Sequence, residues 1–536
     1  MAALGLLLVA ACCGKQQPDV VAPVAKAIAG PRGGVFDVPH VTLVAVTDWQ
    51  AVLKPCGCTV DLQKGGIERI SHAIKQLRQT DDSVLVVHAG SLLADDEPVS
   101  STRAPQVARR MQAFAAALRA VEVAAVALSA TDVELGGEPA RQVLTTAPWP
   151  VLTLAPQPLI PRAQAAVVVA SRSGVKVGFL AVDPKDASDD AARQHALTLA
   201  VQSARANGAQ LVVLLSNLGL RSSRRLVRAV PGIDVVVVGK LDHKIEPMAD
   251  LEREGETLLV HAARQGAYFS AVTLVPRGAG GAWQEASEFL PGIAADLEAR
   301  IASLEAQLVT WRKHATVATE RAIPFFEAQL ADMKARLERA RGAAGKPLPT
   351  GNLVGYRTVG LPWSAPVDPE IVKIVKQYDD EVAVMNEKAA GPIPQPAPGE
   401  AGYVGQAVCV ACHQPTAAFV AQDLHQLAWE TLEKANKTRD LDCVPCHVTG
   451  FGKPGGSGLG KLAHLQDVQC EACHGPGSLH VAAPGKGAAA KLTRSPGEAV
   501  CTGCHSPEHA PRFAFDAYRK RLIVPGHGMP LAAGAK

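Results

Sequence analysis

Four short stretches in the last quarter of the chain repeat one order of reactive side chains. They are Cys409-Val-Ala-Cys412-His413, Cys443-Val-Pro-Cys446-His447, Cys470-Glu-Ala-Cys473-His474 and Cys501-Thr-Gly-Cys504-His505. Two thiols at this spacing lie on one face of a helical turn, where both can add across the vinyl groups of a single haem. The adjoining imidazole then reaches the iron as proximal ligand. Zinc also binds paired cysteines, but it does not require a histidine directly after every pair. The pattern therefore predicts four covalently bound c-type haems.

Histidine usage supplies a second signal. Nine of the sixteen histidines fall within residues 401–536, and four of those belong to the motifs. The remaining five, His425, His464, His480, His509 and His527, are the candidate distal ligands, with Met529 as an alternative sulfur donor. Two axial imidazoles close an iron to substrate and suit electron transfer, whereas a single one leaves room for small-molecule chemistry.

Tyr403-Val-Gly405 leading into the first motif, His425-Gln-Leu-Ala428, Cys443 to Gly452, and Val468 to His480 resemble the cytochrome c-554 family of multihaem proteins. The resemblance spans about residues 401–510. It implies closely stacked haems that relay electrons, distal roles for His425 and His480, and a family in which one haem can be five-coordinate. It does not assign either histidine to a particular haem.

The rest of the chain must position and deliver these sites. Apolar residues make up 48% of the sequence but aromatic residues only 4%, and bound haem faces would supply the missing apolar area. The net charge of +3 points to neither a nucleic-acid binder nor an acidic tail. Residues 1–12 read as a signal peptide whose Val9-Ala-Ala-Cys12 end resembles a bacterial lipobox, with Cys12 as the lipidated residue, although no basic n-region precedes it. Residues 13–37 then read as a tether. The expected location is the periplasmic face of a bacterial membrane, as an outer-membrane lipoprotein.

Residues 38–290 carry β-branched apolar runs, Val41–Val46, Val84–Val87, Leu211–Leu215 and Asp234–Gly239, alternating with amphipathic stretches such as Gly66–Thr80 and Ala196–Gly208. This predicts an α/β domain with buried strands. The order of the runs resembles the metallophosphatase-like domain of 5′-nucleotidases, a family that holds two divalent metals at its strand ends. Nearly every ligand position departs from that pattern. Asp48 stands at the first aspartate, but Gln50 replaces the following histidine. His88-Ala-Gly-Ser91, Ser129-Ala-Thr-Asp132, Ser216-Asn217 and Gly239-Lys-Leu-Asp242-His243 occupy the other signatures. Lys240 brings positive charge to where metal would sit, so a relic scaffold without hydrolase activity is expected. Cys56-Gly-Cys58, just after Asp48, reads as a short disulfide or a redox pair.

Residues 291–345 predict an antiparallel helical hairpin with a break near Pro324, and Asp368–Lys388 a further helix. Residues 346–400 read as a connector ending in the Pro-rich stretch Gly391–Gly399, and residues 401–536 as the haem domain. The expected fold is thus multidomain: a layered α/β body flanked by helices, a helical hairpin, and a mainly α, irregular multihaem domain. The leading functional expectation is an exported electron carrier whose partners are other cytochromes or redox proteins, with a lipid anchor and no nucleic acid. Two further readings stay open, reduction of a small nitrogen or sulfur oxyanion at an open haem, and a metal-dependent nucleotide phosphoesterase carrying a cytochrome.

Overall fold

A computed structural model describes residues 38–54, 64–155, 158–241, 251–278, 282–290, 292–313, 315, 317–462, 464–483, 492–506, 509–510 and 513–530. The expected Cys12 anchor, the Cys56/Cys58 pair, Asp242 and His243 lie outside these residues.

Two sheets form the body. The first comprises β1 (Val41–Thr47), β2 (Val84–Ala89), β3 (Val123–Ala127) and β4 (Val151–Leu152), which run parallel. The second comprises β5 (Ala166–Ala170), β6 (Lys176–Val182), β7 (Leu211–Ser216), β8 (Val235–Val238), β9 (Glu252–Glu254) and β10 (Thr257–Val260), with β5 and β9 as antiparallel edges. The chain then returns to the first sheet through β11 (Tyr268–Val275), β12 (Gln284–Glu285) and β13 (Leu353–Gly360).

Alternation along each strand explains how the sheets stack, because successive side chains point to opposite faces. In β1, Val41, Leu43 and Ala45 face the second sheet and share one core with Val177, Phe179 and Ala181 of β6. Val44 and Val46 face outward onto helices Ile67–Thr80 and Ala104–Val121. Helices Asp190–Ala206 and Gly219–Ala229 cover the far side of the second sheet. Strands buried on both faces must be apolar throughout, which is why these segments read as continuous Val/Leu runs.

The chain departs from the sequence expectation at two places. Leu353–Gly360 is not part of a connector but pairs antiparallel with β11 over its whole length. Helix Pro369–Ala389 then packs Ile371, Val375, Tyr378 and Val382 into the body core. The body therefore continues through residue 389, and the hairpin is an insertion between β12 and β13. Gly355 hid this strand by weakening its β signal, yet it is required there, since a Cβ would lie 2.6 Å from Leu290 Cδ2. The second departure is at Pro324, which sits inside helix Val317–Ala343 instead of breaking it. Phe326 packs edge-on against Trp311 of helix Ile293–Lys313, with ring centroids 5.1 Å apart, and so holds the helix past the proline.

Beyond residue 401 regular structure is sparse, with helices of no more than eight residues among the described ones. Seven buried residues, including Trp429, Leu432 and Val444, form the one apolar cluster identified among the described residues there. No described helix is long and apolar enough to cross a membrane.

Candidate haem centres

The first three motifs begin or end short helices, Gln406–Cys412, Val444–His447 and Cys470–His474, and the fourth follows Glu498 into Glu498–Thr502. All eight motif cysteines and all four motif histidines line one connected cavity of about 3670 Å³. This is several times the roughly 300–1,000 Å³ of an ordinary small-molecule site. The motifs are neighbours out of sequence order. The thiols of Cys409 and Cys470 touch, as do those of Cys446 and Cys504, and Cys473 lies near Cys501.

Three of the five candidate distal histidines face a motif histidine across this cavity. His413 and His480 have ring centroids 6.4 Å apart with planes 24° from parallel. His505 and His425 are 6.3 Å apart at 76°, and His474 and His527 are 6.1 Å apart at 86°. An imidazole nitrogen binds a transition metal at about 2 Å and the ring centre lies about 1 Å behind it, so two axial histidines place their centroids roughly 6 Å apart. The spacing of all three pairs fits an iron between them, and the residues present fit covalently bound haem.

The other two candidates face no motif histidine among the described residues, although His509 lines the cavity. The ring of His464 packs against Gly405, whose Cβ would lie 2.2 Å from His464 Cδ2, and it does not line the cavity. His509 Nδ1 lies 2.9 Å from Ser506 Oγ. Among the described residues no imidazole ring faces His447.

Buried polar groups hold the pairs in place. Glu471, between the cysteines of the third motif, accepts backbone N–H bonds from Val404, Gly405 and Gly477 at 2.7–3.0 Å. It therefore ties together the chain entering the first motif and the turn before His480. Gln469 accepts the N–H of Gln406 and donates to the carbonyls of His464 and Gln466. His447 Nδ1 and His474 Nδ1 each lie 2.6 Å from a backbone carbonyl, of Ala428 and Thr493. Such contacts direct Nε2 at the metal. None of these supporting residues was legible in the sequence. Glu471 in particular falls at a variable position of its motif.

The α/β body grips the second motif directly. Asp442, next to Cys443, bonds Arg103 and sits 2.6 Å from Arg110 of helix Ala104–Val121. Gln106 of the same helix donates to Asp440 at 2.6 Å and accepts the N–H of Leu441. Burial alone would push the Asp442 carboxyl up, but Arg110 and Arg103 hold it below the usual carboxylate range. Lys437 bridges Asp379 of helix Pro369–Ala389 and Asp440 at 2.7 and 2.8 Å.

At the C-terminal ends of β1 and β2, most polar groups bond one another, while the buried Nδ1 of His88 and Nε1 of Trp49 have no partner among the described residues. Asp48 accepts the N–H groups of Ser91 and Lys240, at 3.0 and 2.7 Å. Lys240 Nζ reaches Ser91 Oγ at 2.5 Å and Asp96 at 2.7 Å. Asn217 accepts from Gly90 and donates to Leu128 and Asp183. Asp132 accepts N–H bonds from Leu92, Leu93 and Ala94. His88 is fully buried, and its pKa is driven down to about 3 by that burial and by Lys240. Asp48, Gln50, Ala51 and Lys240 hold φ between 44° and 56°, a clustering of costly conformations typical of functional sites. Among the described residues no group of three His, Cys, Asp or Glu side chains could hold a metal ion.

Residues 408–475 match the family of cytochrome c554 and c-prime, a span that takes in the first three motifs. Cytochrome c-554 of Nitrosomonas europaea is 35% identical over 94 residues, covering 15% of this chain and 40% of that protein. The chain thus spans well under half of the curated relative it matches. The match concerns the part of the chain that carries the Cys-x-x-Cys-His motifs. Among solved structures, the 5′-nucleotidase precursor of Thermus thermophilus is similar at 16% identity with a TM-score of 0.42, over 66% of this chain and 61% of that one. The calcineurin-like phosphoesterase YfkN of Bacillus subtilis is similar at 17% identity with a TM-score of 0.37, over 46% of this chain and 87% of that one. These two likenesses concern the fold class of the α/β body alone.

Proposed function

We propose that the chain is an exported tetrahaem c-type cytochrome that carries electrons between redox partners, with its α/β body as a docking module. The eight motif cysteines hold four haems. His413 with His480, His474 with His527, and His505 with His425 serve as axial pairs, and His447 serves alone. The observation that carries this reading is the set of three imidazole pairs at 6.1–6.4 Å. When bound, each haem supplies a one-electron couple. The residues do the rest: paired imidazoles would close the metal to substrate, backbone carbonyls fix the tautomer of His447, His474 and His527, and Glu471 fixes the spacing. The thiol contacts support a relay running from the first motif through the third and fourth to the second, where Asp442 and Asp440 anchor it to the body. An anchor at Cys12 would place this relay at the periplasmic face of a membrane.

A low-spin to high-spin ratio of three to one in the oxidised protein supports the ligand assignment; a uniformly low-spin protein removes the open position at His447. That position favours a second reading, reduction of a small nitrogen or sulfur oxyanion at the second motif. Nitrite or CO binding at neutral pH supports it, and the absence of any spectral change with either ligand ends it.

A further inference from the structure

We propose that Asp423 is a positioning residue that sets the reduction potential of the centre held by Cys501 and Cys504, acting through the imidazole of His425. This rests on the reading in which His425 and His505 are an axial pair. Asp423 Oδ1 lies 2.8 Å from His425 Nδ1, and the Asp423 side chain is only 16% exposed. With Nε2 turned toward the metal, Nδ1 carries the ring proton and donates it to this carboxylate. The bond fixes the ring and makes the ligand more basic, which favours the oxidised state of the metal and lowers the potential.

The other axial histidines with a described Nδ1 environment differ. The Nδ1 atoms of His447, His474 and His527 lie 2.6, 2.6 and 2.5 Å from the carbonyls of Ala428, Thr493 and Leu522. Those of His480 and His505 are buried without a partner among the described residues. A hydrogen bond to an ionised acceptor is roughly twice as strong as one between neutral groups. Because His505 Nδ1 has no acceptor among the described residues, Asp423 is the strong polarising contact described on this centre.

Asp423 also accepts the backbone N–H of His425 at 2.9 Å and so caps the turn Leu424–Leu427. A purely structural capping role is the competing explanation. Asparagine caps as well as aspartate but carries no charge, so Asp423→Asn separates the two. The test uses the full-length holoprotein, with the haem count as a folding control, and combines spectropotentiometric titration with low-temperature EPR. In Asp423→Asn one couple is expected to shift about tenfold toward the reduced form, equivalent to 59 mV for one electron. The low-spin EPR signal of the same centre should change, and Asp423→Glu should restore both. Should the asparagine variant lose haem, Asp423→Ser, which also caps without charge, replaces it. Unchanged potentials and EPR in a fully loaded neutral variant overturn the proposal. His425→Ala tests the underlying pair separately: one centre becomes high-spin if His425 is a ligand, and an unaltered spectrum sinks that reading instead.

Discussion

The α/β body and the haem region are held together by different means. In the body, strands such as β1 and β6 bury both faces, and Phe179, Val213 and Leu43 fill a continuous core between the sheets. In the haem region the apolar cluster identified has seven buried residues. Its short helices are joined instead by buried polar groups, of which Glu471 alone receives four N–H contacts from three backbone positions. The body can fold from its own apolar surface. The haem region is not expected to, because the cavity at its centre is lined by the very groups proposed to bind the cofactors.

The largest expected effect follows from that contrast. Expression without the haem-attachment machinery should leave residues 401–530 open to proteolysis while residues 38–389 stay resistant. Equal resistance of both regions would remove the distinction. Next in size, Phe179→Ala should destabilise the body by about 3–5 kcal/mol in denaturant titration, the range for deleting a buried ring. It should leave the haem absorbance unchanged below the unfolding transition. A broadened haem signal would mean that the two regions are one cooperative unit.

The contact between the regions comes third. Asp442→Ala leaves Arg110, only 16% exposed, without this carboxylate. The loss is expected to be about 3 kcal/mol, the lower end for a buried ion pair broken on one side. The spectrum of the centre at Cys443 and Cys446 should alter most among the four.

The smallest effect at neutral pH, one that appears only on acidification, is a dependence on pH confined to the body. His88 has a folded pKa near 3, below its ordinary value of 6.5, so the unfolded chain takes up the proton first. Its contribution is complete above pH 6.5 and falls by about 1.4 kcal/mol for each pH unit below that, until it levels near pH 3. Chemical denaturation of His88→Gln across this range should show a shallower slope than the parent protein. Parallel slopes would mean that His88 is not buried as a neutral ring.

The two regions were also unequally legible. Val41–Val46, Leu211–Leu215 and Asp234–Gly239 announce buried strands because a strand covered on both faces must be apolar throughout. β13 was missed because Leu353–Gly360 includes Gly355 and Gly360, whose small size serves close packing against Leu290 and Tyr268, a demand invisible along the chain. The haem motifs were legible because their chemistry is local, within five consecutive residues. Their partners were not. His480 faces the first motif from beyond the third, and His425 faces the fourth from before the second. His464, which a spacing argument treats like the others, is turned toward Gly405. Asp423 and Glu471 read as ordinary solvated acids until the fold brings His425 and the backbone of Val404, Gly405 and Gly477 to them.

One measurement bears most directly on the whole account, the covalently bound haem per chain by pyridine haemochrome titration of the intact protein. Four are expected. Fewer than four in a fully matured preparation would contradict the assignment of the eight cysteines and the relay built on them.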